Sequence, residues 1–180
     1  MNPKVLHSIS YGLYIVSTEF NGKKNGYIAN TVFQLTSEPM QFGISCNKNN
    51  FTANMIKSRG RFSVSVLAKS CGRKIVSKFG YRSGENEDKF TEVEFFETKT
   101  NIPVVTEKCV AWMELELKKT VDLGTHYLFV ATLTDGQIIT DEEPLTYDYY
   151  LTEYKGVAPK NAPTYISKEQ RKAIKDAENK

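Results

Sequence analysis

Cysteine, histidine, charge of one sign and long apolar runs are all scarce in this sequence of 180 residues. The three cysteines, Cys46, Cys71 and Cys109, are far apart and odd in number, and His7 and His126 are the only histidines. No CxxC and no Cys/His metal spacing exists, which argues against a disulfide framework and a structural zinc, so no metal is expected. Reduced thiols suit a cytoplasmic address. The opening MNPKVLH has neither a long apolar run nor a small-residue cleavage site, so no signal peptide is expected. No stretch approaches the ~20 apolar residues that span a bilayer, and no membrane association is expected. With 24 basic against 21 acidic residues the net charge is +3, too balanced for the broad basic field of a nucleic-acid binder. There is no Ser/His/Asp order, no paired-carboxylate motif and no Walker loop. Hydrolase and kinase readings have no residues to stand on.

What is present is strand signal. Apolar residues at 40% and charged residues at 25% are enough for one core in a chain of this length. Residues 11–18 (YGLYIVST) are β-branched and aromatic, and the following Asn21-Gly22 and Asn25-Gly26 pairs predict a hairpin loop feeding a second strand over 27–31. Apolar residues alternate at Met40, Phe42, Ile44 and Cys46, and again at Phe62, Val64 and Val66. In 109–117 they fall at Ala111, Met113, Leu115 and Leu117, opposite Glu114 and Glu116. Period two means half-buried strands. A turn over 122–125 returns the chain into 126–134. Two helices are predicted, one bearing Phe51, Met55 and Ile56 and stopped by Gly60, the other capped by Ser70 and stopped by Gly80. Six or more strands with two short helices predict a small closed barrel, because closure removes sheet edges. The expected division is one domain over 1–166 and a charged C-terminal helix or tail over 167–180.

Four places carry chemistry. At 45–55 (SCNKNNFTANM) a strand ends and a helix begins, and a helix N-terminus favours a phosphate; Lys48 adds charge, and Thr52 and the asparagines add donors. Taken alone, the same residues read more readily as a plain asparagine cap beside a solvated lysine, because capping asparagines are common. Residues 30–39 (NTVFQLTSEP) read as a loop whose polar groups can lie along a planar heterocycle, or as an ordinary turn-rich loop. In 79–90 (FGYRSGENEDKF) Arg82 and Ser83 can meet a phosphate or sit in an exposed loop. His126, at a strand start, is a candidate proton donor or a structural residue.

Taken together, YGLYIVST (11–18), NGYIANTVFQLTSEP (25–39), SCNKNNFT (45–52), FGYRSG (79–84), DKF (88–90) and GTHYLFVATLTDG (124–136) resemble the flavin reductase-like, FMN-binding split-barrel family. The likeness is to its flavoredoxin branch and to the flavoprotein module of high-molecular-weight rubredoxins, and it runs over about residues 6–165. It implies a mainly β fold, a six-stranded antiparallel split barrel of Greek-key type, forming a homodimer with FMN near the dimer interface. It further implies that Asn30, Thr31 and Gln34 lie along the isoalloxazine and ribityl chain. Ser45, Asn47, Lys48 and Thr52 would hold the ribityl and phosphate end, with Arg82 and Ser83 closing over the phosphate. His126 matches the histidine of the family's Gly-Asp-His, although Thr125 stands here in place of the acid. Residues 159–165 (PKNAPTY) resemble the linker that leads to a rubredoxin module.

The activity implied is electron transfer from NAD(P)H through bound FMN to free flavin or a rubredoxin-like partner protein. Two alternatives stand beside it: a flavoredoxin-like carrier that never meets a nicotinamide, and a non-catalytic binder of haem or F420. Without a GxGxxG loop the motifs do not separate NADH from NADPH. Cys46, beside the cofactor segment, is the thiol expected to be redox-sensitive, with packing as its default role.

Overall fold

Short Asn/Gly turns, alternating apolar positions and few strong helix formers dictate a sheet-dominated chain, and the computed structural model is built that way. It describes residues 8–167 and 169–170. In chain order the elements are β1 (Tyr14–Phe20), β2 (Lys23–Ala29), β3 (Val32–Ser37), β4 (Met40–Asn47), α1 (Phe51–Arg59), β5 (Arg61–Leu67) and α2 (Gly72–Tyr81). They continue with β6 (Phe95–Glu97), β7 (Pro103–Val105), β8 (Cys109–Asp122), β9 (His126–Ile138) and α3 (Tyr147–Thr152). Seven strands form one sheet in the order β2-β1-β5-β8-β9-β4-β3, every pair antiparallel, and β6 and β7 make a separate two-stranded ribbon.

The mainly β, antiparallel character matches expectation; the closed six-stranded barrel does not. The sheet has seven strands and stays open, with β2 and β3 as its two edges. The edges do not meet because α2 packs on β2. Between β2 and β4 there is a side-chain contact, Tyr27 Oη donating to the Ser45 carbonyl at 3.3 Å, in place of a backbone ladder.

Local corrections have local causes. Asn21 and Gly22 alone make the hairpin turn, both at positive φ, which the Asn-Gly pair accepts at low cost. Asn25-Gly26 lies inside β2, where Asn25 is buried. The stretch read as a loop contains β3, paired with β4. Ser70 does not cap α2; its hydroxyl donates to Glu142, Cys71 occupies the cap position without a side-chain bond, and the helix runs past Gly80 to Tyr81. By contrast α1 begins and ends on the residues that predict it. The Asn50 side chain accepts from Thr52 N, and Gly60 closes the helix in the left-handed conformation.

Two apolar clusters fill the molecule. One gathers Val16, Ile44, Ile56, Phe62, Val64, Leu115 and Phe129 between sheet and α1. The other gathers Leu13, Ile15, Leu67, Ile75, Val76, Phe79, Phe90 and Leu145 around α2. All three cysteines are free and buried. Among the described residues no helix is long and apolar enough to cross a membrane. The tail expected over 167–180 lies largely outside the described residues.

Candidate functional site

The chain's turns converge on one cavity of about 480 Å³, within the ~300–1,000 Å³ typical of small-molecule and cofactor sites. Its walls come from the end of β2, the β4–α1 turn, the end of α2 and the segment 157–163. Tyr27, Phe51, Phe79, Tyr147 and Tyr150 supply aromatic surface, and Asn49 and Asn50 bring the first turn of α1 to one end.

Of the residues singled out in the sequence, Asn30, Ser45, Asn47, Arg82 and Ser83 line this cavity; Thr31, Gln34, Lys48, Thr52 and His126 do not. Thr31 Oγ1 donates to Asn30 Oδ1 at 3.1 Å, so it stands behind Asn30. Gln34 is exposed on β3, its amide donating to the Thr36 carbonyl at 3.1 Å. Thr52 is fully buried, with its hydroxyl accepting from Asn25 Nδ2 at 3.0 Å. Lys48 forms an ion pair with Asp122 at 2.5 Å, and its hydrogen bond holds the Asp122 carboxyl below its ordinary range. Lys48 and Lys57 also both lie over the Tyr127 ring, 5.1 and 4.5 Å from its centroid.

Asn47 shapes the β4–α1 turn: its Oδ1 accepts from Asn49 N and its carbonyl accepts from Asn50 N, each at 2.9 Å. Arg82 is paired with Glu87, and Ser83 Oγ accepts from Glu85 N at 3.2 Å. The Arg82-Ser83-Gly84 turn lies tight against β2, since a Cβ at Gly84 would come within 2.1 Å of Asn25 Oδ1. That buried oxygen has no hydrogen-bond partner among the described residues.

Sequence reasoning missed the cavity's central cation. Lys89 is only 3% exposed, and its ammonium donates to the Gly26 carbonyl at 2.9 Å and the Phe79 carbonyl at 3.2 Å. An ammonium has three protons to donate, and these two carbonyls take two of them. It has no ion-pair partner among the described residues. Burial pushes it down to about 8, with the charge of Glu87 acting in the other direction. A buried cation without a carboxylate is costly unless an anion completes it. The one sequence signal was the lysine of DKF, hidden in a run of charges that reads as solvated.

Cys46 is also not what its position suggested. Burial raises its thiol to about 12, and it is not part of the cavity lining, so it is a packed thiol with little thiolate. Tyr27 is likewise raised by burial. Chemically, the cavity can hold a planar aromatic ligand against its tyrosines and phenylalanines, with an anionic group at the end formed by Lys89, Ser83, Arg82 and the start of α1.

Residues 6–157 match the Flavin reductase like domain. The chain is 45% identical over 167 residues to a ferric-chelate reductase (NAD(P)H) of Archaeoglobus fulgidus, covering 92% of this chain and 98% of that one. It is 39% identical over 165 residues to a high molecular weight rubredoxin of Moorella thermoacetica, covering 92% of this chain and 72% of that one. Among solved structures, an FMN-binding protein from Thermus thermophilus with bound p-hydroxybenzaldehyde superimposes with a TM-score of 0.67 at 26% identity, covering 73% of each chain. With the family match spanning the whole sheet and every wall of the cavity except the segment beyond residue 157, this chain belongs to the flavin reductase-like domain family.

Proposed function

We propose that the chain binds FMN in this cavity and acts as an NAD(P)H-dependent flavin reductase-like oxidoreductase, passing electrons to free flavin or to a rubredoxin-like partner protein. The residues present fit the group. The cavity has the right order of size, its walls are aromatic, and the unneutralised ammonium of Lys89 is the observation that carries the reading. Lys89, with Arg82, Ser83 and the first turn of α1, holds the phosphate; Lys48, kept by Asp122, does not. Asn30, Ser45 and Asn47 hydrogen-bond the ribityl chain and the polar edge of the ring, and Tyr27 with Phe79 gives the ring an apolar bed. FMN, when bound, supplies the redox chemistry; the chain supplies binding, orientation and exclusion of water.

The functional unit is a homodimer formed through β3. Its residues are exposed along nearly the whole strand, and Phe33 and Leu35 are 43% and 41% exposed on this open edge, with Met40 of the neighbouring β4 at 51% beside its end. Unpaired backbone groups beside apolar side chains are what a second copy covers. The three free, buried cysteines support a cytoplasmic setting.

Titrating the protein with FMN and following its tryptophan fluorescence tests the binding claim. Saturation at one FMN per chain is expected, with binding weakened in Lys89→Met; an unchanged affinity in that variant contradicts the assignment of the phosphate end.

A further inference from the structure

The last described stretch of chain crosses the cavity, and three side chains from three different elements tie it down. It leaves α3 through Lys155, at positive φ, and Gly156, where a Cβ would come within 2.1 Å of the Tyr150 ring. From this fixed corner residues 157–163 form one wall of the cavity. Tyr81, at the end of α2, donates its hydroxyl to the Val157 carbonyl at 2.5 Å. His126, at the start of β9, has Nε2 3.2 Å from the Asn161 carbonyl. Asn30, at the end of β2, donates to Thr164 Oγ1 at 2.6 Å, which in turn donates to Tyr147 Oη at 3.1 Å.

The contact at His126 fixes its chemistry. A carbonyl only accepts, so Nε2 carries the proton and donates it to Asn161. In the neutral ring Nδ1 is then an acceptor, and the Thr125 hydroxyl 2.9 Å away supplies its donor. Both nitrogens are engaged, and neither has a proton to offer the cavity.

We propose that His126 is a positioning residue that latches segment 157–164 as a strap over the cavity, so that the strap controls exchange of whatever the cavity holds. The strap is built to open. Lys155, Lys160, Asn161 and Pro163 are exposed, and the backbone bonds within the strap, Ala162 N to Pro159 O and Tyr165 N to Ala162 O, are short-range. A segment with few buried contacts sits at the low-stability end of a fold. It shares the cavity wall with Asn30, Asn47 and Arg82, so a ligand seated on those residues lies against the strap.

Lys155 and Lys160 make the strap readable by trypsin in the full chain, with no cofactor present. His126→Ala is expected to raise the rate of cleavage after Lys160 roughly threefold to tenfold, the scale of one lost hydrogen bond. His126→Gln, whose amide donates to the same carbonyl, is expected to restore the wild-type rate, and Tyr81→Phe to raise it as His126→Ala does. Wild-type cleavage in His126→Ala overturns the latch, and so does a His126→Gln variant that is cut as fast as His126→Ala. Control of exchange rests on the FMN reading above and is measured apart, as the rate of FMN release from the loaded protein. Release faster in His126→Ala by the same factor as cleavage supports the gate; faster cleavage with unchanged release overturns it. A chain that takes up no FMN contradicts the cofactor reading while the trypsin result still decides the latch.

Discussion

The sheet's two edges have been finished in opposite ways. On β2 the edge is covered: α2 packs against it, Asn25, Gly26, Tyr27 and Ala29 are buried, and the Gly26 carbonyl is taken by a lysine ammonium. On β3 the edge is bare, and apolar side chains face solvent along it. Covering an edge with a helix and a charged side chain leaves a gap between them, and here that gap is the cavity. Leaving an edge bare costs solubility unless a second chain pairs with it. On the proposed function, the covered edge is where the cofactor sits and the bare edge is where a second copy pairs.

Predictions that break or sharpen this contrast run from large to small. On the covered edge, Lys89→Met is expected to weaken FMN binding roughly tenfold to hundredfold, the scale of a charge-assisted hydrogen bond, read by fluorescence titration. An affinity within twofold of wild type would mean that the buried ammonium only braces β2 against α2. On the bare edge, Phe33→Glu combined with Leu35→Glu is expected to weaken self-association by at least about tenfold, leaving monomers in sedimentation velocity with unaltered circular dichroism. Persistence of the same oligomer would place the interface elsewhere.

Titration of Lys89 gives a third expectation. Its value is held down to about 8 by burial, and an anionic phosphate favours the charged form, so FMN affinity is flat between about pH 7, where the phosphate is fully ionised, and about pH 8. Above that it falls by up to roughly tenfold per pH unit until the value in the complex is reached. The folding of the empty protein responds in the opposite direction. A lysine lowered from its unfolded value near 10.4 costs stability below about pH 8, and that cost is relieved as pH rises toward about 10.4. Urea midpoints across this range, compared with Lys89→Met, check the sign. The smallest effect is expected at Lys48→Ala: under about twofold in FMN affinity, because its partner is the exposed Asp122 carboxylate outside the cavity.

The same contrast explains what the sequence allowed to be read. β4, β5 and β8 are visible because alternate residues, Ile44 and Cys46, Phe62 and Val64, and Leu115, join one apolar cluster, which writes period two into the sequence even where the intervening Ser63, Ser65 and Glu114 are buried too. α1 is visible because Asn50 and Gly60 do chemically what caps do. β3 has no buried face, so no alternation marks it, and its Thr, Ser and Gln residues read as a loop. Strand number predicts a closed barrel, but whether two edges meet depends on tertiary packing such as that of α2 on β2, which no strand pattern encodes. At the site, Asn30, Ser45, Asn47, Arg82 and Ser83 were legible as a family pattern and share the cavity. Lys89 stands in that pattern within DKF but not as a site residue, because the carbonyls that hold it are 63 and 10 residues away. The strap was equally hidden, since PKNAPTY has no periodicity and is held by hydrogen bonds from β2, α2 and β9.

The most direct test of the central claim is a visible spectrum of the purified protein reconstituted with FMN, recorded anaerobically before and after NADH or NADPH. The account predicts a bound-flavin spectrum that one of the two nicotinamides bleaches. A bound flavin that neither nicotinamide bleaches contradicts the reductase and leaves a protein-to-protein carrier, and no bound flavin contradicts the account at its base.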